Sequence, residues 1–554
     1  MNPLVARLWC VVVAGVLFIT RANAAVADVP PLWGKLPAGP HAVGFKSLWQ
    51  LDYARRYNMT FDDKTTYAAG KAPRPILINI WYPAKATPGA KPMPHRGYLE
   101  IGTDDPRLTK FANKLVEYDQ GVIAKELIGK AIKELTEPER MLLKEFLDTP
   151  TACVRDAPSV EGRFPLVIYH SGNGSSFEDN AVLCEFLASH GYVVFGGAFQ
   201  ESSGKSFNVE NSSTRDFEYL VGFAKQQANV DWNHIGVVGH SAGAHAALTY
   251  RAQPHCAADA IISLDTTEDY YHVGDMRWEP MTTTIAKNNK NMVGPILMCA
   301  NPHAYFELAD GLAAARRYYF TIKDLGHNDF IAQGRIGREL RNRLRSASPP
   351  SSDKDAAEAA AEKAELEAVK PAYEALCIYV LHFLDAELKG DTAAKQFIAK
   401  QYRDTKLAGT APHVLWVPEG VTKPDAYAES SGQPPTPRQF RYYFREHGAE
   451  KTVALLRRFR KETPDEPIFH HVFAFALIGE LLDKGQTTAA VAFNDFYREL
   501  DADVGKVLTG WAEAYVRLDR KGWARENCRK ALLLDPTNAK AAALLKELEA
   551  AEKK

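Results

Sequence analysis

Seven short apolar runs, spaced by helix-forming stretches, constrain this chain more than any other feature. They are Ile76–Trp81, Leu166–Tyr169, Val193–Phe195, Ile235–Val238, Ile261–Leu264, Ile296–Met298 and Tyr318–Ile322. Several are apolar without alternation, as strands buried on both faces must be. Strands that alternate with helices over such a length predict a mainly parallel sheet covered by helices. The reading is an α/β protein, with this sheet-bearing domain over 38–408.

Two stretches interrupt or extend this block. Tyr98 to Pro150 carries a charged helical pattern from Leu108 to Glu145, a helical insertion that reads equally as a lid or as surface decoration. Ser346 to Glu367 reads as a flexible loop that becomes an exposed helix from Asp355 onward, and amphipathic Tyr373 to Leu388 closes the domain. Residues 409–436, crowded with Pro, Gly and Ser, read as a linker.

From 437 to 554 every segment is helical, and the pattern repeats. Ala512, Tyr515, Ala524, Cys528, Ala531 and Pro536 have tetratricopeptide-like spacing, and small and apolar positions largely recur 35 residues earlier at Leu477, Glu480, Ala489, Phe493 and Phe496. One helix pair cannot bury its own face, so two or three pairs are expected to stack. Such a stack serves either as a groove for a protein or peptide partner or as a module packed on the α/β body, and packing is the favoured reading.

The 67 basic residues balance 68 acidic ones, which leaves no electrostatic footprint for nucleic acid. A small-molecule substrate fits better. Arg7, the apolar stretch Leu8 to Ile19 and Ala22-Asn23-Ala24 form a signal-peptide pattern over 1–24, so export with cleavage near Ala24 is expected, without a transmembrane span in the mature chain. Outside it, Cys153, Cys184, Cys256, Cys299, Cys377 and Cys528 have irregular spacing that matches no metal-ligand pattern, and no bridge can be paired from sequence.

The chemistry centres on Gly239-His240-Ser241-Ala242-Gly243, which follows an apolar strand and opens a helix. A nucleophile elbow needs that context, because its serine sits in a strained conformation that only flanking small residues permit. Gly239 and Gly243 supply the room, and Ser241 is the candidate nucleophile. A serine hydroxyl needs a base, and in this architecture the acid and then the histidine follow it in sequence. His327, just after the last predicted strand, is the candidate base. Asp265, at the end of the strand after the nucleophile, is the candidate acid, with Glu268 and Asp269 as near rivals and Glu307 and Asp310 as distant ones. Oxyanion donors are expected from the backbone N–H of Ala242 and from the Gly172-Asn173-Gly174 loop, with Asn173 the candidate. The sequence carries no metalloprotease, P-loop or dinucleotide motif, so no metal or cofactor is expected.

Gly39-Pro-His-Ala-Val-Gly44, Ile80-Trp-Tyr-Pro-Ala84, Pro165 to Gly172, Ser189-His-Gly-Tyr-Val-Val194 and the Gly239–Gly243 turn together resemble the platelet-activating-factor acetylhydrolase group, which borders the dienelactone-hydrolase-like esterases. The resemblance spans Gly39 to Gly390. It implies an α/β-hydrolase fold acting on an ester without metal or cofactor, an acid in a Leu-Asp context (here Leu264-Asp265), a base at His327 and an oxyanion donor at Asn173. The chain departs from the group in its oxyanion loop, where His170-Ser171-Gly172 stands in place of Ser-His-Gly. The insertion and the helical repeats are also extra. Amide or peptide cleavage, acyl transfer, or an interaction protein working through the C-terminal helices are the alternatives.

Overall fold

The computed structural model describes residues 29–57, 72–199, 212–266, 269–272, 279–304, 306–322, 324–347, 352–399, 413–417, 427–464, 466–517 and 519–552. The expected signal segment, 1–24, lies outside these. Ten strands form one sheet: β1 (Ala42–Tyr57), β2 (Ala72–Ala84), β3 (Cys153–Arg155), β4 (Phe164–His170), β5 (Val193–Gly196), β6 (Val230–His240), β7 (Ala260–Leu264), β8 (Gly294–Ala300), β9 (Ala315–Thr321) and β10 (His413–Val417). Their order is β10-β9-β8-β7-β6-β4-β5-β2-β1-β3. The run from β5 through β4, β6, β7 and β8 to β9 is parallel; β2 and β1 pair antiparallel at one side and β10 antiparallel at the other.

The helices of the body are α1 (Pro106–Ile128), α2 (Glu137–Asp148), α3 (Ala181–Ser189), α4 (Ser212–Ala224), α5 (Ala242–Arg251), α6 (Glu279–Lys287), α7 (Glu307–Asp310), α8 (Ala332–Ser346), α9 (Asp353–Leu388) and α10 (Thr392–Ala399). The C-terminal region is all helix: α11 (Pro437–Glu462), α12 (His471–Asp483), α13 (Thr487–Arg498), α14 (Val504–Arg517), α15 (Lys521–Leu534) and α16 (Ala539–Glu552). This is the α/β-hydrolase architecture with an appended helical region. Among the described residues no helix is long and apolar enough to cross a membrane.

The unbroken apolar runs have a simple cause. Side chains alternate faces along a strand, and here both faces are core: Val167 and Tyr169 of β4 enter one cluster while Leu166 and Ile168 enter the other. Each predicted run became a strand.

Three strands went unread. β1 is long and mixes Lys, Ser, Gln and Asp with apolar residues, because it pairs at the sheet's outer side, where fewer positions need be apolar. β3 is three residues long. β10 arises inside the stretch expected to be linker, and it pairs with β9 from His413↔Thr321 to Val417↔Arg317. The exposed helix and the closing amphipathic segment are one 36-residue helix, α9, which runs through Pro371. Its first half is solvated and its second half buried, so the composition changes where the helix does not.

The insertion forms α1 and α2, and α1 packs on α8. All six described cysteines are unbridged, and five of them are buried. The small repeat residues Ala512, Ala524 and Cys528 are buried together with Leu548.

Candidate active site

Strand β6 delivers Ser241 at its end, and α5 begins at the next residue. The turn is strained as an elbow must be: Ser241 has φ 52° and ψ −115°, a region that non-glycine residues rarely occupy. The neighbouring glycines make it possible. A Cβ on Gly243 would lie 2.1 Å from the His170 carbonyl oxygen, and one on Gly239 would lie 2.2 Å from the backbone of Gly243. The Ser241 N–H donates to the Leu264 carbonyl at 3.0 Å, which ties the elbow to the end of β7.

The three candidate catalytic side chains meet. His327 Nε2 lies 3.0 Å from Ser241 Oγ, and His327 Nδ1 lies 2.7 Å from Asp265 Oδ2. With Nδ1 donating to the carboxylate, Nε2 is left to accept the serine proton. Burial opposes a charge on this imidazole, but the hydrogen bond and the charge of Asp265 outweigh it, so its pKa rises above the ordinary 6.5. The ring's outer edge still meets the pocket, with 44% of the side chain exposed against 3% for Asp265.

Asp265 is held more tightly than sequence alone suggests. It too has a positive φ, 51°, and its N–H donates to the Cys299 carbonyl at 2.7 Å. Its second carboxylate oxygen accepts from the Tyr270 hydroxyl and, at 3.2 Å, from the Asn301 N–H. The Asn301 side chain in turn donates to the Leu325 carbonyl at 2.9 Å, linking the acid's loop to the base's loop. Tyr270 and Asn301 were not among the candidates; their sole signal was proximity in sequence to the ends of β7 and β8.

The rival acids fall elsewhere. Glu268 lies outside the described residues. Asp269 is buried and its carboxyl is pushed well above the usual range, by burial and then by the charge of Asp265. Glu307 and Asp310 face the C-terminal helices, near Arg441 at 3.5 Å and Arg438 at 2.7 Å respectively.

His240, next to Ser241 in the elbow, has a definite task. It is buried, and its Nε2 contacts the backbone oxygen of His327 at 3.0 Å, which makes Nε2–H the donor and fixes the main chain of the base. Burial, helped by the neighbouring His327, pushes its pKa down to about 3, so it stays neutral. His170 is core: its ring stacks on Phe199 with centroids 4.1 Å apart, and its Nε2 lies 2.7 Å from Ser213 Oγ.

Ser241 and His327 open into a cavity of about 990 Å³ whose walls include Gly172, Asn173, Gly174 and Ser175. Asn173 thus lies on the serine's side of the loop, and Ala242 is the first residue of α5, where a helix leaves backbone N–H groups without intrahelical partners. The opposite wall is the insertion: Tyr118, Gly121, Val122, Lys125 and Glu126 of α1 all line it.

Behind the loop from Gly172 to Ser175 lies a group of buried carboxyls that the sequence did not announce. Asp119 and Glu126 come from α1, Glu178 and Asp179 from the loop before α3. Burial first and the charge of the neighbouring Glu178 second raise the Asp119 pKa. Glu126 is raised to about 8 and Asp179 to about 7, in both cases chiefly by burial, and the Tyr169 hydroxyl donates to Asp179 at 2.6 Å. The Phe177 N–H donates to Asp119 at 3.2 Å, and Gln333 Nε2 to Glu178 at 3.2 Å. Among the described residues no cluster of His, Cys, Asp or Glu is arranged to hold a metal ion.

Comparison with known proteins leaves the chemistry to this geometry. No family model and no curated protein matches the chain. Among solved structures it is similar to a ferulic acid esterase from Streptomyces cinnamoneus, at 17% identity and a TM-score of 0.42, over 70% of this chain and 99% of that one.

Proposed function

We propose that the protein is a serine hydrolase that cleaves a carboxylic ester through an acyl-enzyme. One observation carries the reading: the unbroken hydrogen-bond chain Ser241–His327–Asp265 stands at an elbow that opens into a cavity. Ser241 Oγ attacks the ester carbonyl while His327 Nε2 takes its proton. Asp265 keeps the imidazole oriented and stabilises the cation that forms. The backbone N–H groups of Ala242 and Asn173 receive the tetrahedral oxyanion. Collapse expels the alcohol, which takes the proton from His327. A water then attacks the acyl-serine, giving its proton to His327, and the acid leaves as the Ser241 hydroxyl is restored.

A fluorophosphonate probe tests the nucleophile. The native protein should be labelled and Ser241→Ala should not; equal labelling of both removes the proposal. Turnover of simple acyl esters with silence on peptide substrates supports the ester over the amide, since the triad alone is common to both. We include export in this proposal, with cleavage after Ala24, which mass measurement of the mature N-terminus checks. The C-terminal helices are read as a tetratricopeptide-like module whose partner is this chain's own catalytic body.

A further inference from the structure

The insertion encloses a second cavity, of about 650 Å³, on the far side of α1 from Ser241. With 3.6 residues per turn, Tyr118, Val122 and Lys125 lie on one face of α1 and line the serine's cavity, while Gln120 and Ile123 lie on the opposite face and line the second. The two cavities share the helix as a wall and have no lining residue in common.

The second cavity is amphiphilic by construction. Its floor is Ile123, Ile132, Leu135, Leu143 and Leu147, from both helices and the short turn between them. The floor reaches the surface at Ile132, 37% exposed, one of the few large apolar side chains the described residues leave open. Its rim carries the cations Arg96, Arg140 and Lys144 against the single carboxylate of Asp148. Asp148 is already engaged by both Arg96 and Lys144. Arg140 makes no side-chain hydrogen bond or ion pair among the described residues. A floor that accepts only apolar surface, under a rim with surplus positive charge and one uncommitted guanidinium, selects a ligand with an apolar chain and an anionic head.

We propose that this cavity is a binding site for a single-chain carboxylate amphiphile, its tail on the Ile123–Leu143 floor and its head on Arg140. The volume lies within the range of small-molecule sites, roughly 300–1,000 Å³. The site stands apart from Ser241 and does not depend on the esterase reading.

Titration of the full chain with dodecanoate below its micelle concentration, followed by displacement of 1-anilinonaphthalene-8-sulfonate, tests it. Saturable displacement is expected, equal in the native protein and in Ser241→Ala. Leu143→Glu, which sets a carboxylate into the floor, should weaken dodecanoate at least about ten-fold. Arg140→Ala should weaken it about three- to five-fold, the scale of an exposed ion pair, and leave dodecanol binding unchanged. Thermal unfolding of both variants guards against misfolding, and Arg140→Lys, which keeps the charge, should recover part of the affinity. The proposal is overturned if neither variant changes dodecanoate binding, if blocking Ser241 with a bulky phosphonate abolishes it, or if the chain binds vesicles but not monomeric dodecanoate.

Discussion

Two appendages grip the candidate site from opposite sides, and they do so with opposite chemistry. The insertion meets the loop before α3 through buried carboxyls whose pKa values burial raises: Asp119 and Glu126 on α1, Glu178 and Asp179 on the loop. The C-terminal helices meet the loops that follow β7 and β8, next to the acid, through charges and rings. His272 lies 3.1 Å from Asp483, Tyr271 packs edge-on against Phe475, and His303 stacks on His470 with centroids 3.8 Å apart. Below them Glu480 binds Arg441 and Lys484. The contrast shows that burial does not decide protonation by itself. Glu480 and Glu126 are both largely buried, yet Glu126 rises to about 8 and Glu480 falls to about 2, because only Glu480 has two cations to outweigh the loss of water.

The largest expected effect lies where the C-terminal grip meets the triad. Asp265→Asn should lower turnover about 10⁴-fold without unfolding the chain. The base must be neutral to act, and its pKa is raised by Asp265. The native activity should therefore rise with pH through a midpoint above 6.5, and what remains in the variant should show a lower midpoint.

Loosening the helices that make the charged grip comes next. Glu480→Ala takes a close carboxylate from the largely buried Arg441, which also has Glu307 at 3.5 Å, and should cost about 3 kcal/mol in a denaturant titration. A loss below about 1 kcal/mol would mean that these helices are braced elsewhere.

The two grips should also respond to pH in opposite directions. Glu126 and Asp179 have folded pKa values raised above their ordinary ones, so they stabilise in acid and lose that stability as pH rises from about 4 to about 8. Glu480 is lowered to about 2, and His303 and His470 are lowered to about 3 and about 4, burial being the leading cause for both histidines. Their stabilisation is complete above about 6.5 and is lost as pH falls through those values. Amide exchange should therefore quicken in α1 between pH 5 and pH 9 relative to its intrinsic rate. At α12 it should quicken instead on going from pH 7 to pH 4. The same trend in both regions would contradict the assignment.

The smallest effect concerns the raised Asp119 carboxyl. Asp119→Asn removes its charge while keeping its shape and should change stability by at most about 1 kcal/mol near neutrality. It should also flatten the alkaline loosening of α1.

How much of this was legible beforehand follows from what each residue had to satisfy. The strands between two cores had to be apolar throughout, so β4 to β9 could be read directly. Ser241, His327 and Asp265 were legible because strand ends and chain order restrict where they fall. Tyr270, Asn301 and the carboxyl group around Glu178 were not, because their roles come from neighbours distant in sequence and carry no local period. The charged helical pattern of the insertion fits a lid and decoration equally; in the structure α1 lines the serine's cavity.

Strand β10 bears on how the chain could be divided. Its residues lie in the connection between body and helices, yet they hydrogen-bond along β9. A truncation ending near residue 408 would therefore strip the sheet's edge as well as the helices. A bare edge is a template for another chain's edge. The shortened protein is expected to self-associate, so the two bodies, separable in composition, are joined in solubility.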